Sequence, residues 1–370
     1  MNGHWIRRVW ERRGILGIVL WALLLPISCL YWLGVQIRDL LYSVGWRTPR
    51  SLDQFVISVG NLTVGGTGKT PTAVWVAQEL QKHGLKVAVL SRGYHRKTNR
   101  PRIVTADVFA DVSDFGDEPA MMARVFGLTV AVANSRYAAA REVLQRASVD
   151  VFVLDDGFQH RQLRRDLDLL LLGADATGWV LPSGPFRETK RAFRRADLFL
   201  ITAAREKWRD VIATRNGSPI FEGALEPVSL VGFDLQQWKD YPLSLLAGSK
   251  VIAVSAIGDP TPFYRIIYEW EGEIVDVFEF TDHHDYSADD WQRINRASRK
   301  ADLIITTEKD MVKLMPFPFA REKLLALRVT MVVENGDSLI ERILGRVRDR
   351  SRLKTSEHQE PLPVDRGGKV

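Results

Sequence analysis

The residues between positions 63 and 70 carry the strongest chemical signal in the chain. They read Thr63-Val64-Gly65-Gly66-Thr67-Gly68-Lys69-Thr70. Glycines let backbone N–H groups approach phosphate oxygens closely, and the N-terminus of a following helix adds a partial positive charge. A lysine there reaches the β- and γ-phosphates, and a threonine hydroxyl holds Mg²⁺. The pattern predicts a nucleoside triphosphate site that uses Mg²⁺, although the strict phosphate-loop pattern has glycine where this chain has Thr63.

Carboxylates occur at two further places where such a site needs them. Asp155 and Asp156 end the apolar run Val151-Phe152-Val153-Leu154, and a carboxylate at such a strand end can hold Mg²⁺ beside a phosphate loop. Asp117 and Glu118 stand at the start of a predicted helix. They have two interpretations, first-turn acids that favour the helix dipole or a general base with a metal ligand. The residue types alone leave both open.

Histidines supply the remaining acid–base candidates. Thr281-Asp282-His283-His284-Asp285-Tyr286 is dense in titratable groups, and a histidine polarised by a carboxylate is a familiar acid–base unit. A solvated polar loop fits the same composition equally well, and two adjacent histidines do not make a zinc pair without further ligands. His160 follows the Asp155 strand end, which favours a functional role over a surface one.

Basic residues gather around the same motifs and suit an anionic acceptor. A guanidinium can clamp a phosphate through two parallel hydrogen bonds. Nucleic acid is the competing partner, but the aromatic stacking motifs of RNA-binding modules are absent, so we expect no nucleic-acid binding. The cluster comprises Arg92, Arg96, Arg136, Arg161, Arg164, Arg165, Arg187, Lys190 and Arg191.

Alternating strands and helices must position these groups. The glycine loop lies between an apolar run at 55–60 and a predicted helix that begins near Pro71. Near-continuous apolar runs such as 151–154 and 167–172 are typical of parallel strands buried on both faces. We therefore predict an α/β fold, a P-loop NTPase-like parallel sheet with a smaller C-terminal α/β lobe and an N-terminal membrane-associated helix. Ligands are expected at the carboxyl ends of the strands.

The predicted domain organisation has five parts. A membrane-associated helical segment at 1–50 precedes a P-loop kinase-like core at 51–215. A connecting ribbon at 216–245 leads to the C-terminal lobe at 246–348. Residues 349–370 are charged and contain proline and glycine, so we expect a disordered tail.

Composition restricts the partners. The 370 residues carry a net charge of +6 and a pI of about 9.4, which favours anionic partners such as phosphorylated substrates or an anionic membrane face. Cys29 is the single cysteine, so an intrachain disulfide and a cysteine-based zinc site are excluded.

The N-terminal segment has the composition of a membrane element. Residues 14–34 contain no charged side chain, and this length is enough to cross or enter a bilayer. Arginines flank it on both sides, and the phosphate loop that follows needs cytosolic nucleotide. A single crossing would leave four arginines outside, against the preference of positive residues for the cytoplasm. We therefore expect a helix or helical hairpin that dips into the inner leaflet, with Pro26 able to break it midway; a true crossing and a signal peptide are the alternatives.

Several motifs in a fixed order together carry a family resemblance. They span roughly residues 10–340 and are highly specific in combination. Taken one at a time, only the phosphate loop is a specific signal. The chain resembles the tetraacyldisaccharide 4'-kinases, the lipid A 4'-kinases of Gram-negative bacteria. The matching residues are 59–71, Ser91-Arg92-Gly93-Tyr94, Gly116-Asp117-Glu118-Pro119, Asn134-Ser135-Arg136, Asp155-Asp156-Gly157-Phe158-Gln159-His160, 182–188, Phe280-Thr281-Asp282-His283-His284 and Thr307-Glu308-Lys309-Asp310.

The resemblance implies a reaction, cofactors and a location. The reaction is transfer of the γ-phosphate of ATP, with Mg²⁺, to the 4'-hydroxyl of a tetraacyldisaccharide 1-phosphate at the cytoplasmic face of the bacterial inner membrane. It implies Asp117 as catalytic base, His283 as its partner and Lys69 as the cation on the transferring group. Residues 63–70 would bind ATP, and Thr70, Asp155 and Glu118 would hold the metal. The implied acceptor-binding residues are Tyr94, Arg136, His160 and Arg187, with Arg136 and Arg187 suited to the 1-phosphate.

Two functions of other classes remain as alternatives at this point. A membrane-associated P-loop nucleotide hydrolase acting on protein partners would release phosphate without a lipid acceptor. A membrane adaptor that binds nucleotide only for folding would be indifferent to substitution of Asp117.

Overall fold

Two helices form the N-terminal segment of the structure. The protein is described by a computed structural model over residues 4–94, 96, 98, 100–105, 112–213, 217–234, 237–320 and 323–357. Helix α1 (His4–Trp10) folds back on helix α2 (Gly14–Ser43). A Cβ atom at Gly17 would lie 3.0 Å from the backbone oxygen of Arg8, so glycine permits this close approach. The segment is therefore a helical hairpin with one short and one long arm.

Most strands of the first half of the chain run parallel and are buried. Residues of β1 alternate between two clusters of apolar side chains, Phe55, Ile57 and Val59 on one face and Val56 on the other. This period of two explains why its run is apolar throughout. The strands of this first half-sheet are β1 (Phe55–Asn61), β2 (Val87–Ser91), β3 (Arg102–Val104), β4 (Thr129–Val132), β5 (Val151–Asp155), β6 (Leu167–Leu172) and β7 (Leu198–Ile201), and its helices are α3 (Lys69–Lys82), α4 (Asp117–Arg124), α5 (Arg136–Leu144) and α6 (Arg205–Ala213).

A long strand joins this half to the second one. Strand β8 (Ile220–Asp234) pairs in parallel with β7 through its first residues and continues into the second half-sheet. The elements of that half-sheet are β9 (Gln237–Tyr241), β10 (Lys250–Ser255), α7 (Thr261–Glu269), β11 (Glu273–Glu279), α8 (Ala288–Ala297), β12 (Leu303–Thr307), α9 (Glu308–Leu314), β13 (Leu324–Val333) and α10 (Gly336–Glu357).

One mixed sheet results, with strand order β11-β10-β12-β13-β8-β7-β6-β1-β5-β2-β4-β3 and β9 paired to β8. Strand β8, which lies within the connecting ribbon expected at 216–245, pairs antiparallel with both β13 and β9. The predicted α/β class is confirmed. Strand β8 is more than a connection between the two halves, because it is hydrogen-bonded to strands of both half-sheets.

Helix α2 docks on the first half-sheet through one polar face. Ser28 Oγ donates to Ser183 Oγ at 2.8 Å, and the Tyr31 hydroxyl donates to the backbone oxygen of Arg187 at 2.8 Å. Arg38 pairs at 2.8 Å with Glu188, whose side chain is buried. The expectation that Pro26 could break the helix is wrong, because α2 is continuous from Gly14 to Ser43.

The opposite face of α2 is apolar and open to solvent. Among the described residues, α2 is the one helix that is long and apolar enough to cross a membrane by length and composition. Thirty residues correspond to about 45 Å of helix. The exposed large apolar side chains on this face are Ile15, Leu16, Ile18, Val19, Leu23, Ile27, Leu30, Trp32, Leu33, Ile37 and Leu40. We call this set the α2 apolar face.

The prediction of a disordered tail from residue 349 is wrong for residues 349–357. These residues continue α10, whose apolar side chains Leu339, Ile343 and Val347 are buried in the core against the first half-sheet. Arg350 pairs with Asp166 and donates to the backbone oxygen of Leu52 at 3.0 Å. The charged composition here belongs to the last turns of a docked amphipathic helix. Residues 358–370 lie outside the described residues.

Candidate active site

The glycine loop lies between β1 and α3, at the carboxyl end of the central strand. Gly68 immediately precedes α3 with φ of +79°, a backbone conformation that other residues rarely adopt. The loop is held at Thr67, whose Oγ1 accepts from Asn61 Nδ2 at 2.8 Å. Its first residues are held by a neighbouring segment, because Val64 N donates to the backbone oxygen of Pro185 at 2.9 Å. The helix begins at Lys69, two residues before Pro71, so both Lys69 and Thr70 lie in its first turn.

The strand beside β1 brings a carboxylate to the loop. β5 pairs in parallel with β1, and Asp155 stands opposite Val59. The Thr70 hydroxyl lies 3.3 Å and 3.4 Å from the two carboxylate oxygens of Asp155. Burial, together with the nearby Glu118 and Asp156 carboxylates, raises the pKa of Asp155 to about 7. Burial also raises the pKa of Glu118. A cation bound beside the Thr70 hydroxyl would relieve this repulsion between carboxylates.

Asp156 is held between two cations. Arg187 Nη1 donates to both its carboxylate oxygens, at 2.9 and 2.8 Å, and Lys69 Nζ lies 4.0 Å from Oδ1. Burial opposes ionisation of Asp156, but Lys69 and Arg187 outweigh it, so its pKa is lowered. The lysine of the phosphate loop is thus oriented across the loop towards the Asp155-Asp156 strand end.

The two halves of the chain meet at Asp117. His283 Nδ1 lies 3.2 Å from Asp117 Oδ2, and its backbone φ of +62° is rare for a residue with a side chain. Lys313 Nζ donates to the same oxygen at 3.1 Å. Burial would raise the pKa of Asp117, but the hydrogen bond from His283 and the Lys313 ammonium outweigh it and lower the pKa. The structure therefore brings together Asp117 and His283, which are 166 residues apart.

Lysines 309 and 313 belong to this cluster and were not singled out from the sequence. Lys309 Nζ lies 3.2 Å from His283 Nε2 and donates to Asp282 Oδ1 at 2.8 Å. Both lysines lie on α9, one turn apart. The motif Thr307-Glu308-Lys309-Asp310 marked the position, but the sequence carried no signal that it faces Asp117.

The four expected acceptor-binding residues line the same cleft, at different depths. Tyr94 is exposed, and its ring centroid lies 5.5 Å from that of His283. Arg136 is buried at the start of α5, and burial lowers its pKa to about 10. Burial and the Arg136 charge lower the pKa of His160 to about 4. In the part of the chain that the structure describes, Arg136 Nε and His160 Nε2 are buried without a hydrogen-bond partner. Both polar atoms are therefore available for an anion or a hydroxyl.

The cleft between the two half-sheets is large enough for a nucleotide and a sugar. Its volume is about 1410 Å³, and the first half-sheet lines it with the glycine loop, Glu118 and Asp155. His283 and Lys309 line it from the second half-sheet, and Tyr31 and Arg38 line it from α2. The N-terminal segment therefore reaches the same cleft as the phosphate loop.

Comparison with known proteins decides the family. The sequence profile of LpxK, the tetraacyldisaccharide-1-phosphate 4'-kinase, matches residues 20–348. The chain belongs to this family. A tetraacyldisaccharide 4'-kinase from Halothermothrix orenii is 36% identical over 326 residues, which cover 81% of this chain and 85% of that protein. A tetraacyldisaccharide 4'-kinase from Syntrophus aciditrophicus is 35% identical over 368 residues, with 93% and 98% covered.

A solved structure of the same family has the same fold. The crystal structure of LpxK from Aquifex aeolicus in complex with ATP is 33% identical, covers 89% of this chain and 99% of its own, and has a TM-score of 0.75. The resemblance read from the motifs is therefore confirmed. Membership in a lipid kinase family does not support the nucleotide-hydrolase and adaptor alternatives.

Proposed function

We propose that this chain transfers the γ-phosphate of ATP to the 4'-hydroxyl of a tetraacyldisaccharide 1-phosphate, giving lipid IVA in lipid A biosynthesis. The observation that carries the proposal is the arrangement across the cleft. A phosphate loop with Lys69 and Thr70 lines the cleft together with His283 of the second half-sheet. His283 in turn contacts the Asp117 carboxylate of the first half-sheet. A hydrolase needs to position only water, whereas this cleft also carries basic groups for an anionic acceptor.

Asp117 is the proposed base of the reaction. It accepts the proton of the 4'-hydroxyl as that oxygen attacks the γ-phosphorus, and the phosphorus–oxygen bond to ADP breaks. His283 orients the carboxylate through its hydrogen bond to Oδ2. Lys69, together with the N–H groups of residues 63–70, stabilises the charge that spreads over the transferring group.

The residues around Thr70 fit Mg²⁺. Within the described part of the chain, no three or more His, Cys, Asp or Glu side chains form a metal cage. Mg²⁺ commonly uses one or two carboxylates, with substrate phosphates and water as its other ligands. Thr70, Asp155 and Glu118 would hold it. The Thr70 hydroxyl lies 3.3 Å from Asp155 Oδ1, and all three residues line the same cleft, which supports this assignment. When bound, the ion neutralises phosphate charge.

Acceptor binding is assigned to Tyr94, Arg136, His160 and Arg187. Arg136 is buried with an unpartnered Nε, a donor suited to the 1-phosphate. We expect Arg136→Met to raise the KM for the disaccharide about tenfold to a hundredfold, because a charge-assisted hydrogen bond contributes about 1.5–3 kcal/mol. The KM for ATP stays close to its original value. Steady-state kinetics with each substrate varied in turn measures the two constants, and an equal rise in both would contradict the assignment.

The α2 apolar face is the proposed contact with the cytoplasmic face of the inner membrane. The acceptor is a lipid, and α2 lines the cleft through Tyr31 and Arg38 while its apolar face is open. A helix lying in the interface brings an acylated sugar to the phosphate loop without the chain having to cross the bilayer. Arginines of α1 and the following turn, Arg7, Arg8, Arg12 and Arg13, would contact anionic headgroups.

Charges on the α2 apolar face should release the protein from membranes. We expect Leu16→Glu, Leu23→Glu and Leu30→Glu combined to lower the partition coefficient on anionic vesicles more than about a hundredfold, since each buried leucine contributes about 1.5–3 kcal/mol. Vesicle co-sedimentation measures it. The matched control changes two exposed apolar residues elsewhere, Val228→Glu and Leu245→Glu, and should leave binding unchanged. Equal loss in both proteins would contradict this contact.

The proposed function is tested by the dependence of ADP release on acceptor. A kinase releases ADP at a rate that rises and saturates with disaccharide 1-phosphate in detergent micelles, and chelation of Mg²⁺ stops it. A protein-directed nucleotide hydrolase would release ADP at the same rate with and without the lipid, and that result would overturn the proposal.

A further inference from the structure

The motif Thr307-Glu308-Lys309-Asp310 has no part in the function described so far. The structure gives it a rigid form at the start of α9. Thr307 Oγ1 accepts from Asp310 N at 3.1 Å and donates to Asp310 Oδ2 at 2.8 Å. The same Oδ2 accepts from Ala256 N at 2.9 Å. Glu308 is held by Arg328 at 3.1 Å. These contacts fix where α9 begins and so fix the direction of the two lysines on it.

Lys309 and Asp117 together set which nitrogen of His283 carries the proton. An ammonium group has three donors and no acceptor, so Lys309 donates to His283 Nε2 across 3.2 Å. The Nε2 atom must then accept, and the ring proton of neutral His283 lies on Nδ1. Nδ1 therefore donates to Asp117 Oδ2 at 3.2 Å. Asp282 Oδ1 fixes Lys309 through a 2.8 Å contact and lies 3.8 Å from His283 Nε2. Without the Lys309 ammonium, this carboxylate would accept a hydrogen bond from Nε2 and so compete with Asp117 for the ring proton.

Lys313 fixes the Asp117 carboxylate, which accepts the hydrogen bond from His283. Its side chain is 6% exposed, and its ammonium donates to Asp117 Oδ2 at 3.1 Å and to the backbone oxygen of His284 at 2.8 Å. Asp310 Oδ1 lies 3.4 Å away. Both donors approach Oδ2. Within the described residues, Oδ1 is therefore the oxygen of Asp117 that can receive the sugar hydroxyl.

We propose that Lys309 and Lys313 are positioning residues of the Asp117–His283 pair. This inference rests on the proposed kinase function. Lys309 holds His283 in the Nδ1-protonated form, and Lys313 holds the carboxylate with Oδ1 towards the acceptor. Because α9 belongs to the second half-sheet and Asp117 to the first, the pair is correctly arranged only when the two halves are together. The wrong tautomer would leave two lone pairs, on Nδ1 and Oδ2, facing each other.

The tautomer can be observed without any substrate. The full-length protein is labelled with ¹⁵N-histidine, and the ring nitrogens of His283 are assigned by comparison with His283→Gln. Spectra are recorded above pH about 8, where an ordinary imidazole is neutral. We expect Nδ1 to carry the proton in the unsubstituted protein and in Lys309→Arg, whereas Lys309→Met should move a substantial part of the population to the Nε2-protonated form. The control Lys300→Met, at an exposed lysine, should match the unsubstituted protein.

Kinetics provide the second measurement. We expect Lys309→Met to lower kcat about tenfold to a hundredfold with little change in either KM, and Lys309→Arg to recover most of the rate, since misoriented acid–base groups lose part of a contribution of about 10²–10⁴. Lys313→Met should lower kcat further than Lys309→Met does, and Lys313→Arg should recover part of the lost kcat. If Lys313→Met does not fold, the Lys309 series still decides the proposal, because that side chain borders the cleft.

Two results would overturn the inference. One is an unchanged His283 tautomer in Lys309→Met. The other is a raised KM for ATP with unchanged kcat, which would make Lys309 a nucleotide ligand. If the unsubstituted protein transferred no phosphate to the lipid, the kinase proposal would fail, whereas the tautomer measurement would still give its own answer.

Discussion

Asp117→Asn should lower kcat by a factor of about 10²–10⁴, while the affinity of the protein for ATP stays nearly unchanged. The substitution keeps the shape of the side chain but removes the oxygen that takes the proton from the 4'-hydroxyl, and general base catalysis contributes about this much. The lowered pKa of Asp117, produced by His283 and Lys313, keeps the carboxylate ionised and ready to accept at neutral pH. Single-turnover transfer separates the chemical step from binding, and isothermal titration measures ATP affinity.

A matched control lies in the same motif as His283. Asp285 is exposed, and Asp285→Asn should leave kcat within about twofold, because surface substitutions away from such a site have small effects. Near-normal turnover of Asp117→Asn would show that the base lies elsewhere. An equal loss in both variants would point to a general effect on folding.

Lys69→Met should be similarly severe, with kcat/KM reduced about 10²-fold or more. Lys69 lies in the first turn of α3, its side chain is 14% exposed, and its ammonium is directed towards Asp156 at the strand end. It is the cation closest to the phosphates in the proposed mechanism, and removal of one donor to a transition-state charge costs about 10²–10³. The fold reduction in kcat/KM should exceed any fold change in the KM for the lipid acceptor.

Lys82 provides the control on the same helix. It ends α3, its side chain is 70% exposed, and its partner is Glu79 at 2.7 Å. Lys82→Met should retain full activity. If Lys69→Met raised only the KM for ATP, with kcat unchanged, the ammonium would act in ground-state binding alone.

The core of the first half-sheet could be predicted from the sequence because its signals are local. The glycine loop with its flanking strand and helix occupies one continuous segment, and an apolar run such as Val151–Asp155 needs no distant partner to be recognised as a buried parallel strand. Parallel pairing of β1 with β5 then places Asp155 beside Thr70 without further assumptions.

The pairing of Asp117 with His283 could be stated only through a family resemblance. No rule of spacing connects residues that are 166 positions apart, because their contact depends on how β8 joins the two half-sheets. The lysines of α9 were missed for the same reason, since Lys313 lies 196 positions from Asp117. Local patterns identify the chemistry of a residue, and the tertiary fold alone identifies what it faces.

Two local predictions failed because tertiary contacts outweighed composition. Pro26 does not interrupt α2, which docks on the first half-sheet through Ser28 and Tyr31 in the residues that follow it. Residues 349–357 are helical because the apolar side chains of α10, which precede them, are buried. The domain boundaries and the roles of the individual site residues remain predictions.

Transfer of labelled phosphate to the 4' position tests the central claim most directly. The protein is incubated with γ-³²P-ATP, Mg²⁺ and disaccharide 1-phosphate in micelles, and the product is treated with mild acid to remove the anomeric phosphate. We expect the label to stay on the sugar, and an acceptor methylated at the 4'-hydroxyl to gain none. Label found only in inorganic phosphate, or equally on the methylated acceptor, would contradict it.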